Sequence, residues 1–313
     1  MERLRIGLIG WGTVGSAFGQ LVADGPLPLT LARIAVRDPS RVRSDLPKGA
    51  EIATPDDVLR DSEIVVELAG GLDGPREWAR TALDRGTPYV TANKALLATH
   101  GEELAKIAER RSAALLASAS VGGGTPMIET TEHLAAAGGI ARLRGVVNAT
   151  TTFILSAMGR GQSYDDALSE AQAAGYAEAD PSFDVDGHDA AQKLAILASV
   201  AWRKWRPEAD VTAEGIAGQP VGAGDIVRLV ADATADELTV RPKILDPLDP
   251  LAVTEGVENM LEVAMRDGST VRVSGPGAGG QPTAGAVYAD LARLVNGERP
   301  ILFGPAEGVV SPV

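Results

Sequence analysis

One hexapeptide near the start of the chain narrows its possible folds more than any other feature. Gly10-Trp11-Gly12-Thr13-Val14-Gly15 has the spacing G-x-G-x-x-G. It stands directly after an apolar run at residues 4–9 and opens a helix-like run at 14–22. In a strand–turn–helix unit each glycine has a task. Gly10 permits a tight turn, Gly12 lets the backbone approach a pyrophosphate, and Gly15 lets the helix close on the strand. The helix start then offers N–H groups and positive dipole to phosphate. A glycine-rich turn without a ligand is the alternative, and the position at the head of a β-α-β pattern weighs against it.

That pattern continues. Residues 31–36, 64–68, 89–91 and 114–117 read as strands, with helices at 75–84 and 102–111. Short apolar runs alternating with amphipathic helices imply a parallel sheet covered on both faces, an α/β Rossmann-like dinucleotide-binding domain. An acidic residue at the end of the second strand would hold ribose hydroxyls, whereas arginine would accept a 2′-phosphate. Here Arg37 precedes Asp38, so the cues conflict, and Arg37 tilts the reading toward NADP over NAD. After Gly122-Gly123-Gly124 the character changes. Helices at 126–136, 165–174 and 190–200 mix with strands at 142–147, 261–265 and 270–274, and residues 176–187 read as a loop. This reads as an α+β substrate-binding domain, and it is only a family resemblance of its segments that makes it a dimerisation domain as well. The expected division is 1–128 with 284–313 for the dinucleotide, completed by a helix at 284–295, and 129–283 for the substrate.

Composition excludes several classes. The net charge of −13 repels phosphate backbones, so no nucleic-acid partner is expected. The chain has no cysteine, which removes disulfides, thiolate nucleophiles and thiolate metal sites. His100, His133 and His188 are too scattered to build a metal site. No apolar run approaches the ~20 residues needed to span a bilayer, and the first residues lack a secretory pattern. A cytoplasmic protein without a membrane partner is expected.

The densest polar cluster is Gly175-Tyr176-Ala177-Glu178-Ala179-Asp180-Pro181, followed by Asp184, Asp186, Asp189 and Lys193. Asp189 and Lys193 stand four apart on the helix expected there and share a face with Ile196, Leu197 and Val200. A surface ion pair of little energetic weight is one reading. The other is a half-buried lysine beside carboxylates, able to hold a carbonyl oxygen and give it a proton. Loop carboxylates would then receive a substrate ammonium. Lys94, in Thr91-Ala92-Asn93-Lys94, follows a strand at the carboxyl edge of the sheet, where open α/β sheets bind ligands. It is otherwise an ordinary loop lysine.

These residues fall in segments that resemble homoserine dehydrogenases, in that family's order. They are GLIGWGTVG at 7–15, TANKALLA at 91–98, ASVGGGTP at 119–126, GVVNATTTFIL at 145–155, AGYAEADPSFDVDGHDAAQKLAIL at 174–197 and VSGPGAGGQPTA at 273–284. The resemblance implies NAD(P)-linked reduction of L-aspartate 4-semialdehyde to L-homoserine, on the route to threonine, methionine and isoleucine. It implies Lys94 and Lys193 around the reacting oxygen, Glu178 on the substrate's amino group, and Asp184 and Asp189 completing the pocket. It places Gly10, Gly12, Thr13, Val14, Gly15, Arg37, Ala69, Asn93 and Lys94 at the cofactor. It also implies a homodimer, with strands at 261–265 and 270–274 as candidates for the interface or for an ordinary core.

Three departures from the family pattern stand out. Ser118 replaces a glutamate that helps hold a monovalent cation, which leaves Val121 and Gly123 as the candidates for Na or K. Ala149 and Thr152 replace a usual glycine and asparagine. No C-terminal regulatory domain follows, so feedback by threonine through such a domain is not expected. Other readings are a different Rossmann-type amino-acid dehydrogenase and a protein that senses NAD(P) without turnover. The leading one requires residues 94, 178, 189 and 193 to converge on one pocket.

Overall fold

The first apolar run forms β1 (Leu4–Ile9), whose last four residues are buried. It turns into α1 (Thr13–Asp24). There follow β2 (Leu29–Ala35), β3 (Glu51–Ala53), α2 (Pro55–Asp61), β4 (Ile64–Glu67), α3 (Asp73–Asp84), β5 (Tyr89–Thr91), α4 (Lys94–Arg111) and β6 (Leu115–Leu116). The computed structural model describes residues 3–41 and 45–303, and they divide into two compact units, Met1–Gly124 with Gly279–Val313, and Thr125–Ala278. Residues 304–313, part of the expected cofactor domain, lie outside the described residues.

In the first unit the strand order is β3-β2-β1-β4-β5-β6, and every pair is parallel. The chain builds outward from β1 to β3, then returns to place β4 on the other side of β1. That reversal opens a crevice at the carboxyl ends of β1 and β4, the ligand position of such sheets. Ile6, Leu8, Phe18, Leu31, Ile34, Val66 and Val90 form the core beneath it. The last helix, Gly280–Val295, adds Ala284, Val287, Leu291 and Leu294 to this same core. It starts earlier than the expected residue 284.

The second unit contains α5 (Met127–Ala137), β7 (Ile140–Val146), α6 (Ala149–Gly159), α7 (Tyr164–Ala173), α8 (Ser182–Val185), α9 (His188–Trp202), β8 (Val211–Ala213), β9 (Val227–Ala233), β10 (Leu238–Ile244), β11 (Glu258–Met265) and β12 (Thr270–Pro276). Its mixed sheet runs β12-β11-β7-β9-β10-β8. Helix α9, buried without interruption from Leu194 to Ala201, packs on β7, β9 and β10. Charged side chains pair across the strands. Asp232 accepts from Arg142 at 2.5 Å and Lys243 at 2.9 Å, and Glu262 accepts from Arg144 at 3.0 Å and Arg272 at 2.6 Å. Burial pushes the Asp232 carboxyl up, but the Arg142 and Lys243 bonds outweigh it and hold it below the ordinary range.

Several elements differ from the sequence reading. Residues 176–187 are not wholly loop, because α8 makes a single turn within them. Helix α4 begins at Lys94 rather than near 102, because Asn93 caps it and Leu96 and Leu97 are buried. β3, α2, α6, β8, β9 and β10 lie outside the elements read from the sequence.

Candidate active site

The glycines of the first turn have separable physical roles. Gly10 has φ +109, and a Cβ there would sit 2.6 Å from the Leu68 carbonyl. A Cβ on Gly15 would lie 2.2 Å from the Gly10 oxygen. Both are required by the protein's own packing. Gly12 is different. It caps α1 without a side-chain bond, and a Cβ there would meet nothing within 4 Å. Internal packing therefore gives no reason for its bareness, and a ligand brought close to the backbone does.

A cavity of about 630 Å³ opens beside this turn. Gly10, Gly12, Arg37 and Ala69 line it, as do Trp11 and Trp78. Thr13 and Val14 form the first turn of α1, and Gly15 is buried beneath Gly10. The conflict between Arg37 and Asp38 acquires a geometry. Asp38 Oδ1 accepts from the Ser40 backbone N–H at 3.0 Å and the Ser40 hydroxyl at 2.6 Å, while Arg37 and Arg41 both line the cavity. The cavity thus offers shape and N–H groups for a pyrophosphate and guanidinium groups at the end of β2, a set that fits a dinucleotide.

At the carboxyl end of β5, Asn93 caps α4. Its Oδ1 accepts from the Leu96 N–H at 3.0 Å, and its Nδ2 donates to the Gly71 carbonyl at 2.7 Å. Both ends of the Asn93 amide are thereby engaged, and Lys94 stands as the first residue of the helix.

The second unit assembles a network of side chains. The Lys193 ammonium donates to Asp189 Oδ2 and to the Val147 carbonyl, each at 2.7 Å. Asn148 Nδ2 donates to Asp189 Oδ2 at 2.8 Å and to Asp184 Oδ1 at 2.7 Å. The Thr150 hydroxyl lies 2.9 Å from Asp184 Oδ2 and 2.7 Å from the Tyr176 carbonyl. Phe153 stacks on Tyr176 with ring centroids 4.8 Å apart. The Lys193 and Asp189 side chains are only 13% and 9% exposed, so this is no solvated surface pair. The Asn148 amide joins the two carboxylates directly and reaches Lys193 through Asp189, a set of charges that would be costly to bury unpaired. Glu178 lies on the exposed loop before α8, where its carbonyl accepts from Gln172 at 3.0 Å. Lys94 belongs to the first unit, and Glu178, Asp184, Asp189 and Lys193 to the second.

Sequence reasoning missed Asn148 and Thr150. The signal for Asn148 was present, since its Oδ1 accepts the Thr151 N–H at 2.8 Å as the cap of α6. An asparagine before an apolar run marks a helix start. Thr152, one of the departures from the family pattern, is buried and bonds the Asn148 carbonyl at 2.8 Å, a local role within α6. Ser118 commits both its N–H, at 3.0 Å, and its hydroxyl, at 2.6 Å, to the buried Asp290 of the last helix. Val121 is buried, and Gly122 and Gly123 follow it with φ of +80 and +57. Among the described residues no group of three or more His, Cys, Asp or Glu could hold a metal, so a cation at Val121 and Gly123 would rest on carbonyl oxygens. No helix among them is long and apolar enough to cross a membrane.

Comparison with known proteins agrees with this division of labour. A family model described as the NAD-binding domain of homoserine dehydrogenase matches residues 10–117, and one described as homoserine dehydrogenase matches residues 126–292. The homoserine dehydrogenase of Corynebacterium glutamicum is 38% identical over 91% of this chain and 70% of its own length. That of Bacillus subtilis is 34% identical over 96% and 74%. The crystal structure of a homoserine dehydrogenase from Thiobacillus denitrificans superposes with a TM-score of 0.89 at 33% identity, over 94% of this chain and 74% of that one. A hyperthermophilic archaeal homoserine dehydrogenase in complex with NADPH gives 0.84 at 30% identity, over 96% and 99%. With a glycine turn that leaves room for a dinucleotide, a lysine–carboxylate network and relatives that match more than nine-tenths of its length, the chain belongs to the homoserine dehydrogenase family of NAD(P)-dependent oxidoreductases.

Proposed function

We propose that this chain catalyses the reversible reduction of L-aspartate 4-semialdehyde to L-homoserine and uses NADP in preference to NAD. The observation that carries the reading is the network of half-buried Lys193 and Asp184 with buried Asp189 and Asn148. In the reduction the aldehyde carbon takes a hydride and its oxygen takes a proton. The dinucleotide supplies the hydride when bound. Lys193 has two of its three N–H groups fixed, by Asp189 and by the Val147 carbonyl, which leaves the third for a substrate oxygen. It holds that oxygen and delivers the proton, and Asp189 keeps the ammonium aimed. Lys94 is the second candidate for the same proton. Glu178 takes the substrate ammonium, and Asp184, fixed by Asn148 and Thr150, completes the substrate pocket.

Two features support NADP. Asp38 already accepts from Ser40, and Arg37 and Arg41 line the cavity as guanidinium donors for a 2′-phosphate. Exposed Ile244, Leu248 and Val253 in the second unit are apolar surface that a homodimer would cover. The backbone of Val121 and Gly123 is the place for Na or K, and the cytoplasm is the expected compartment. The deciding experiment is steady-state oxidation of L-homoserine with NAD and NADP in parallel. Turnover with both and a higher kcat/KM for NADP are expected. Arg37→Ala should lower kcat/KM for NADP by about tenfold, the loss of one charge-assisted bond, with NAD nearly unchanged. No turnover of homoserine with either dinucleotide, beside turnover of another amino-acid substrate, would overturn the reading.

A further inference from the structure

Strand β4 reads Ile-Val-Val-Glu, and all four residues are buried. The last of them, Glu67, is 0% exposed. Nothing in the chemistry proposed above uses this carboxylate, yet leaving a charge buried is costly unless donors surround it. Three do. Glu67 Oε1 accepts the backbone N–H of Ala69 at 2.7 Å and of Gly70 at 2.9 Å. Its Oε2 accepts the hydroxyl of Thr91 at 2.7 Å. Thr91 Oγ1 in turn accepts the Asn93 N–H at 3.0 Å, and the Asn93 side chain donates to the Gly71 carbonyl at 2.7 Å. The bonds close a ring through residues 67, 69–71, 93 and 91. One arc of the ring, Ala69 and Gly70, lines the 630 Å³ cavity. The other arc is the cap that starts α4 at Lys94.

We infer that Glu67 is a positioning residue, whose buried carboxylate locks the cavity-lining loop at 69–70 to the Thr91–Asn93 segment that sets Lys94. Both oxygens of the carboxyl are used as acceptors, one for two amides and the other for a hydroxyl. Gly70 and Gly71 have φ of +70 and +85, so the loop is a turn that without Glu67 has only the Asn93 amide to hold it among the bonds of the ring. A glutamine at 67 would keep the two amide bonds through its single carbonyl. Its NH2 would then face a threonine oxygen that already accepts from Asn93, and the Thr91 hydroxyl proton would lose its acceptor. This inference rests on the reading that the cavity holds the dinucleotide and that Lys94 serves the reaction.

The test measures kcat, KM and the dissociation constant of NADPH by fluorescence for Glu67→Gln, Thr91→Val and Thr91→Ser, together with Tm. Glu67→Gln should lose about 10- to 100-fold in kcat/KM, as expected for a bond to a charged group, with NADPH binding weakened and kcat lowered together. Thr91→Val, which leaves the carboxylate its two amide donors, should lose about tenfold, and Thr91→Ser should stay within about twofold of the parent because the hydroxyl survives. Should Glu67→Gln not fold, Thr91→Val against Thr91→Ser carries the same comparison. Variants with a lower Tm but unchanged kinetic constants and NADPH affinity would overturn the inference and make the carboxylate a purely structural one. An unmutated chain that binds NADPH but does not turn over homoserine would sink the functional reading instead. In that case weakened NADPH binding in Glu67→Gln and Thr91→Val, restored in Thr91→Ser, still upholds Glu67, and unchanged binding refutes it.

Discussion

On the proposed function, the glycine turn of the first unit and the Asn148 network of the second each hold a ligand, and they are built by opposite means. At the turn the protein subtracts atoms. Gly10 and Gly15 are bare because backbone stands 2.6 and 2.2 Å from where their Cβ would be, and Gly12 is bare with open space in front of it. In the network the protein adds charges and then has to satisfy them. Asp184, Asp189 and Lys193 are tied by Asn148, the Val147 carbonyl and Thr150. The first device is steric and nearly independent of pH and salt. The second is electrostatic and cooperative, so its members should fail together.

The largest expected effect tests that cooperativity. Lys193→Ala should lower kcat by about 10²–10⁴-fold, the usual cost of losing an acid–base group. It also takes the ammonium away from the buried Asp189 carboxylate, so a lower Tm should accompany the loss. Single-turnover hydride transfer, followed as NADPH absorbance, is the measurement. Activity kept within about tenfold would remove Lys193 from the chemistry. Lys94→Ala, assayed in parallel, ranks the two lysines as proton donors.

Asn148→Ala comes next. It removes the donor to both carboxylates and the cap of α6. A cap alone is worth about 0.5–2 kcal/mol, and bonds to charged groups about 1.5–3 each. A loss of roughly 10- to 100-fold in kcat/KM is expected, with Tm lowered as well. Combined with Lys193→Ala, the effects should add to less than their sum, because both residues act through Asp189. Full additivity would show two independent sites and break the contrast drawn here.

The same contrast explains what the sequence made legible. The glycine turn is local. Its residues are adjacent and their spacing carries the geometry, so strand, turn and helix could be read together. The network joins residues 147, 148, 150, 176, 184, 189 and 193. Sequence offered Asp189 and Lys193 as a pair because they share a helix face, but had no way to connect them to Asn148 across 41 residues. Elements failed for similar reasons. Helix α2 carries a full signature, Thr54 capping Asp57 with Pro55 at the first position, but its 7 residues are too few for a helical period to show. β3 is three residues long and pairs only with β2, too short for an alternation to show. The start of α4 was hidden because Ala95 to Ala98 is a continuous apolar run with no helical period, and only its Asn93 cap marks it.

The last prediction isolates the steric device by separating two glycines two residues apart. Gly10→Ala should destabilise the fold, because φ +109 disfavours any side chain and the new methyl would press on the Leu68 carbonyl and the Ala69 nitrogen at 2.6 and 2.7 Å. Gly12→Ala adds the same methyl where no atom stands within 4 Å, with the backbone in an extended conformation that alanine adopts freely. Its Tm should therefore stay close to that of the parent. Its dinucleotide affinity should still fall by about tenfold, since a methyl that holds a pyrophosphate away from the N–H groups of α1 forfeits roughly one charge-assisted bond. Thermal melting and NADPH fluorescence titration on both variants give the four numbers needed. Unchanged NADPH affinity in Gly12→Ala would mean that the space before Gly12 is not where the phosphates lie, and the cavity at the end of β1 would need a different occupant.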